Sequence, residues 1–169
     1  ALKANTSGNE NQAFGISAML SNTTGSFNTA MGSNALRSNT TASYNTAVGY
    51  QAAYTGTTWA TGSVTAFGYR AAYLATGGRL VAVGEGALYS TTTGGSNVAV
   101  GYYAGNSLTS GATNTFVGDY AAWGATTGDG NTVIGGRAGY LSLTTGTQNT
   151  LIGYAASVSA GSDVNEIVL

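Results

Sequence analysis

The sequence predicts an all-β fold, a parallel β-solenoid of about nine 17-residue coils, and three observations carry that expectation. A glycine recurs at Gly15, Gly32, Gly49, Gly68, Gly84, Gly101, Gly118, Gly135 and Gly153, at intervals of 17, 17, 19, 16, 17, 17, 17 and 18 residues. An alanine follows three residues later in every unit: Ala18, Ala35, Ala52, Ala71, Ala87, Ala104, Ala121, Ala138 and Ala156. The composition is one of small residues, with 27 glycines, no proline, and only 30 Leu, Ile, Val and Phe among 169 residues. That is too little for a conventional core of large aliphatics, while the net charge of -1 does not fit a disordered chain either. A short fixed period is what coils require when each can bury its apolar face only against its neighbours.

Each unit reads in the same order. It opens on an asparagine four residues before the glycine, at Asn11, Asn28, Asn45, Asn97, Asn114, Asn131 and Asn149, with Val64 and Leu80 standing in the two exceptional units. Asparagine there can bond the local backbone, and stacked asparagines can bond one another. A β-prone stretch follows. It places Ala13, Ala30, Ala47, Ala66, Ala82, Ala99, Phe116, Val133 and Leu151 two before the glycine. Phe14, Met31, Val48, Phe67, Val83, Val100, Val117, Ile134 and Ile152 come immediately before it. After the glycine comes a second small-residue stretch, predicted to be a second very short strand. A turn signal such as Thr24-Gly25-Ser26, Thr93-Gly94-Gly95 or Thr145-Gly146-Thr147 closes the unit.

Stacked coils would pair these strands in parallel about 4.8 Å apart, making a rod about 45 Å long. The burial available per coil is thin against the entropy of ordering seventeen residues, which points to oligomerisation. Residues 1–10 read as a lead-in or partial coil and 11–164 as the repeat domain. Residues 165–169 read as the start of a further coil, with Asn165 in the asparagine place and Leu169 where its glycine would fall, leading to a C-terminal domain outside this chain.

Several chemistries are disfavoured. Without histidine or cysteine the chain lacks the commonest general base, thiol nucleophiles and the usual zinc ligands. Its six acids (Glu10, Glu85, Asp119, Asp129, Asp163, Glu166) are dispersed over different coils. Glu85 and Asp119 share the position after the glycine, two coils and roughly 9–10 Å apart by strand spacing. They read as solvated column positions, and Gly128-Asp129-Gly130 reads as a turn. No catalytic residue, metal site or cofactor is expected. Five scattered basic residues provide no footprint for nucleic acid, and no apolar run is long enough for membrane insertion.

The candidate binding residues are aromatic. Five positions after the glycine lie Tyr54, Tyr73, Tyr89, Trp123 and Tyr140, with Leu20, Arg37, Asn106 and Val158 in the other units. Trp59 sits in the 19-residue unit, where irregularity would concentrate binding. A second column, Tyr50, Tyr69, Tyr102 and Tyr154, follows the glycine directly. These rings either stack on the sugars of a cell-surface glycan or cover the edge of the coil.

The units Asn45-Thr46-Ala47-Val48-Gly49-Tyr50-Gln51-Ala52, Asn97-Val98-Ala99-Val100-Gly101-Tyr102-Tyr103-Ala104 and Asn131-Thr132-Val133-Ile134-Gly135-Gly136-Arg137-Ala138 resemble the YadA-like head repeats of trimeric autotransporter adhesins and bacteriophage tail fibres. The closing run Ser162-Asp163-Val164-Asn165-Glu166-Ile167-Val168 is similar to the segment that leads into the self-cleaving chaperone domain of such fibres. The resemblance spans roughly residues 11–168 and implies a left-handed β-roll in a parallel homotrimer, with a C-terminal chaperone or tip domain in the full-length chain. The function it implies is a non-catalytic structural and adhesive role in a virion tail fibre that attaches to a host through a surface glycan or protein receptor. The alternatives are the head of an adhesin on the bacterial outer-membrane surface, or a rigid spacer with no ligand.

Overall fold

The repeat becomes a single ten-stranded parallel sheet in the computed structural model, which describes residues 1–56 and 63–169. The strands are β1 (Gln12–Phe14), β2 (Thr29–Met31), β3 (Thr46–Val48), β4 (Val64–Phe67), β5 (Leu80–Val83), β6 (Val98–Val100), β7 (Thr115–Val117), β8 (Thr132–Ile134), β9 (Thr150–Ile152) and β10 (Ile167–Val168). Each pairs only with its neighbours in sequence, so their spatial order is their chain order. This is the expected β-solenoid, of about nine turns. Unequal repeat lengths do not disturb the register. Val48 lies opposite Phe67 across the 19-residue interval, and Phe67 opposite Val83 across the 16-residue one. Additions and deletions are therefore absorbed outside the strands.

The glycine column has a steric cause. All nine glycines have φ between +127° and +141°, a region that side chains rarely adopt. A Cβ on Gly101 would lie 2.3 Å from the carbonyl oxygen of Gly118 in the next coil. Coil-to-coil approach at this corner leaves no room for a methyl group.

The expected second strand does not form among the described residues. The stretch after the glycine is a series of turns in which the second and fourth residues lie in the left-handed region, as in Asn34 (φ 61°) and Leu36 (φ 50°). This conformation aims successive N–H groups at different partners. Asn34 donates to Ile16 O of the preceding coil (2.8 Å), Ala35 to Gly32 O of its own coil (3.2 Å), and Leu36 to Ala52 O of the following coil (3.0 Å). Coils are thus knitted along the axis here without a ladder of extended strands. The local strain of each left-handed residue, about 1–2 kcal/mol, is offset by bonds the extended form would not make.

Inside, the space is narrow and filled by small residues. Ala18, Ala35, Ala52, Ala71, Ala87, Ala104, Ala121 and Ala138 are fully buried, as are Ala30, Ala47, Ala66, Ala82 and Ala99 on the strands. Larger core residues enter singly, including Phe116, Leu36, Leu88, Leu108 and Leu143. Asparagine ladders run through the same interior. Asn114 donates from Nδ2 to Asn97 Oδ1 (3.1 Å) and to Gly128 O (2.8 Å), while its own Oδ1 accepts from the Asn131 backbone N–H (2.8 Å) and Nδ2 (3.0 Å). A second, shorter ladder joins Asn5, Asn22 and Asn39 through Nδ2–Oδ1 bonds of 2.8 Å.

At the C-terminal end, Ile167 pairs with Thr150 and the Glu166 N–H donates to Asn149 Oδ1 (2.8 Å). Glu166, not Asn165, therefore takes the asparagine place, and Leu169 falls in the apolar column one residue before the glycine place. The last unit is displaced by one residue from its sequence reading because the strand register, set by outward and inward alternation, outweighs the asparagine match.

Candidate functional site

Two surfaces run along the rod, the first over its whole length, and the strand geometry creates that one. Side chains alternate across a strand. With the residue two before each glycine pointing inward, the one immediately before it points out. Phe14, Met31, Phe67, Val100, Ile134 and Ile152 are accordingly exposed, from 37% for Val100 to 77% for Phe14, and Leu169 extends the column. Val48, Val83 and Val117 are half-buried in the same line. These apolar side chains do not form the core. The core is instead supplied by the neighbouring alanine column and the turn stretch, leaving an apolar ridge about ten coils long on the outer face of the sheet.

The second surface is aromatic. The predicted column five after the glycine is half-buried in Tyr54, Tyr73, Tyr89, Trp123 and Tyr140. The structure joins it into two stacks. Tyr54, Tyr73 and Tyr89 lie face to face, with centroids 5.1 and 5.0 Å apart and planes 13° from parallel. Trp123 stacks on Tyr140 at 5.3 Å and 26°. Arg37 caps the first stack, donating from Nη1 to the Tyr54 hydroxyl (3.2 Å) with its guanidinium 5.7 Å from the ring centroid. Between the stacks the column is occupied by Asn106. Trp59 lies outside the described residues.

The column directly after the glycine is more exposed, and in it Tyr50 stacks on Tyr69 at 5.6 Å. Sequence reading did not single out the residues that link these columns. Arg70 donates from Nε to Gln51 Oε1 (2.9 Å) and lies 5.1 and 5.5 Å from the Tyr69 and Tyr73 centroids. Tyr103 and Tyr120 stack at 5.9 Å, each with an edge contact to Tyr102. The signal available was the adjacent pair Tyr102-Tyr103, whose second member shares with Tyr120 a column that the other coils fill with polar or small residues.

Two cavities open in this aromatic surface on either side of Asn106. One, of about 270 Å³, reaches from Arg70 and Tyr89 to Asn106. The other, of about 350 Å³, reaches from Asn106 to Trp123 and Tyr140. Tyr103 walls both. Desolvation among the crowded rings pushes the pKa of the Tyr102 phenol up to about 12, helped by the Tyr120 hydroxyl and the Glu85 carboxylate. Burial and then the Glu85 charge push Tyr103 upward as well. Both phenols are held neutral, as hydrogen-bonding groups rather than proton-transfer groups.

The acids do not converge. Glu85 and Asp119 are exposed in separate coils, and no group of three or more potential metal-ligating acids occurs among the described residues. Comparison of the chain with family models, with curated proteins and with solved structures finds no match.

Proposed function

We propose that this chain is a non-catalytic structural and adhesive segment of a homotrimeric fibre, with a phage tail fibre engaged in host attachment as the best-supported setting. The observation that carries the reading is the apolar ridge from Phe14 to Leu169. A soluble rod does not keep a continuous line of Phe, Met, Val and Ile in water, whereas a parallel bundle of identical rods covers it along its whole length. The number three, the left-handed winding and the C-terminal chaperone or tip domain come from the resemblance to YadA-like head repeats. The aromatic surface lies on the stretch after the glycine and is the proposed contact with a cell-surface glycan or protein receptor, multiplied threefold by avidity.

Light scattering at micromolar concentration tests the assembly. The expected mass is three times the 16.8 kDa chain. Val83→Asp combined with Val117→Asp, on the ridge, is expected to dissociate it. A folded, monodisperse monomer of the parent chain would overturn the fibre reading. Hydrolysis of a surface polysaccharide by the purified chain would overturn the non-catalytic one.

A further inference from the structure

The aromatic ladder is broken at one rung, and the break has the dimensions of a ligand. The rings of Tyr54, Tyr73 and Tyr89 are nearly parallel at one rung per coil, so their faces look along the solenoid axis. Trp123 and Tyr140 resume the same stacking two coils beyond Tyr89. Among the described residues, the Tyr89 and Trp123 faces that look toward Asn106 therefore lack a ring partner, and they stand about 10 Å apart, twice the coil spacing. Carbon atoms in contact sit about 3.5–4 Å apart. A flat aromatic guest would need a gap of only about 7 Å, whereas a puckered saturated ring with axial hydrogens needs about 8–9 Å.

We propose that the Asn106 gap is a slot for one neutral pyranose ring of a surface glycan, held between the faces of Tyr89 and Trp123. The slot rests on the adhesive reading above and gives it a specific site. Its construction is local. Asn106 donates from Nδ2 to Gly86 O (3.1 Å), which turns the short side chain toward the coil and leaves Oδ1 as an acceptor for a sugar hydroxyl. Gly86 stands where other coils carry Arg70, Tyr103, Tyr120 and Arg137. A Cβ there would come within 2.6 Å of the Tyr103 ring, so the glycine lets that ring lie against the coil and wall the slot. Phenol and amide groups offer both donors and acceptors, as a ring bearing several hydroxyls requires. Arg70 is already engaged with Gln51 and two tyrosine rings, while Glu85 lies exposed beside Tyr103. An acidic sugar would meet this carboxylate, and among the described residues the one cation lining the two cavities is the engaged Arg70, which favours a neutral ring.

The test fills the gap instead of destroying its walls. The purified chain, carrying Trp59→Phe so that fluorescence reports Trp123, is screened on an array of neutral hexose and N-acetylhexosamine oligosaccharides alongside sialylated and uronate ones. The best neutral binder is then titrated. Asn106→Tyr restores a residue that four other coils carry in this column, so its melting temperature should equal or exceed that of the parent. Its affinity should fall about tenfold or more, as should that of Tyr89→Ala. Parent-like or tighter binding by Asn106→Tyr would overturn the slot in favour of the ladder surface as a whole. Binding of acidic sugars alone, or no binding of any neutral oligosaccharide at about 10 mM, would overturn it as well. The two readings fail separately. Host-cell binding that survives Asn106→Tyr removes the slot and leaves adhesion standing, whereas a monomeric parent removes the fibre without touching the titration.

Discussion

The glycine corner isolates what a single methyl group costs in this fold. Gly101 has φ +141° and would place a Cβ 2.3 Å from Gly118 O, so Gly101→Ala combines backbone strain with a clash against rigid backbone. A loss of about 3 kcal/mol is expected. Gly136 is the control, because its φ is not positive and a Cβ there meets only the Tyr154 ring at 3.5 Å. Gly136→Ala should be neutral or stabilising by up to about 1 kcal/mol. Chemical denaturation of the two variants separates these outcomes. A second residue-scale defect lies at Thr91, in the column that holds Asn22 and Asn39 in earlier coils. Its hydroxyl is fully buried and makes no hydrogen bond. Thr91→Val keeps the shape and removes the orphaned group, and a gain of about 1 kcal/mol is expected in the same measurement.

Within the coil, the inward columns and the aromatic surface respond differently to change. Ala99 and Ala104 are fully buried on the strand and turn sides of one coil. Ala99→Leu or Ala104→Leu should overpack it and lower stability by about 1–3 kcal/mol, read by thermal melts. The aromatic cluster predicts a pH response. With the Tyr102 phenol raised to about 12 from the usual 10.0, the folded state binds its proton more tightly than the unfolded state. Stability from this group is intact below pH 10 and declines as pH rises from there toward 12. Tyrosinate absorbance should therefore show a late-titrating phase whose amplitude Tyr102→Phe reduces, with Tyr103 contributing the remainder. A single phase near the ordinary tyrosine value would contradict the crowding described for these rings.

Across the whole rod, stability is expected to be shared between coil stacking and the covering of the apolar ridge. Burial inside each coil is largely alanine, and the residue before each glycine, exposed at Phe14, Met31, Phe67, Val100, Ile134 and Ile152, makes one apolar line on the sheet. If identical chains cover that line, unfolding is coupled to dissociation, and the melting temperature rises with protein concentration. Melts over a hundredfold concentration range check this, and a melting temperature independent of concentration would indicate that each rod is stable alone.

Much of the architecture is written in the repeat. The position-by-position recurrence of glycine and alanine demands one packing solution used nine times, and period, strand placement and coil count follow from it. The asparagine column could be read because stacked amides have one evident use, and Asn28, Asn45, Asn114, Asn131 and Asn149 all bond to the asparagine one coil earlier. What could not be read is conformation that side-chain type does not report. Leu36, Arg70, Ala72 and Tyr103 adopt left-handed φ although none is a residue that favours it, because hydrogen bonds to adjacent coils impose the conformation. The apolar column before each glycine likewise has a hydrophobicity that fits either face of the sheet, and only the three-dimensional coil turns it outward. The slot at Asn106 belongs to the same class. In the sequence it is one exception in an aromatic column, and it becomes a gap between two ring faces once stacking sets the distance between rungs.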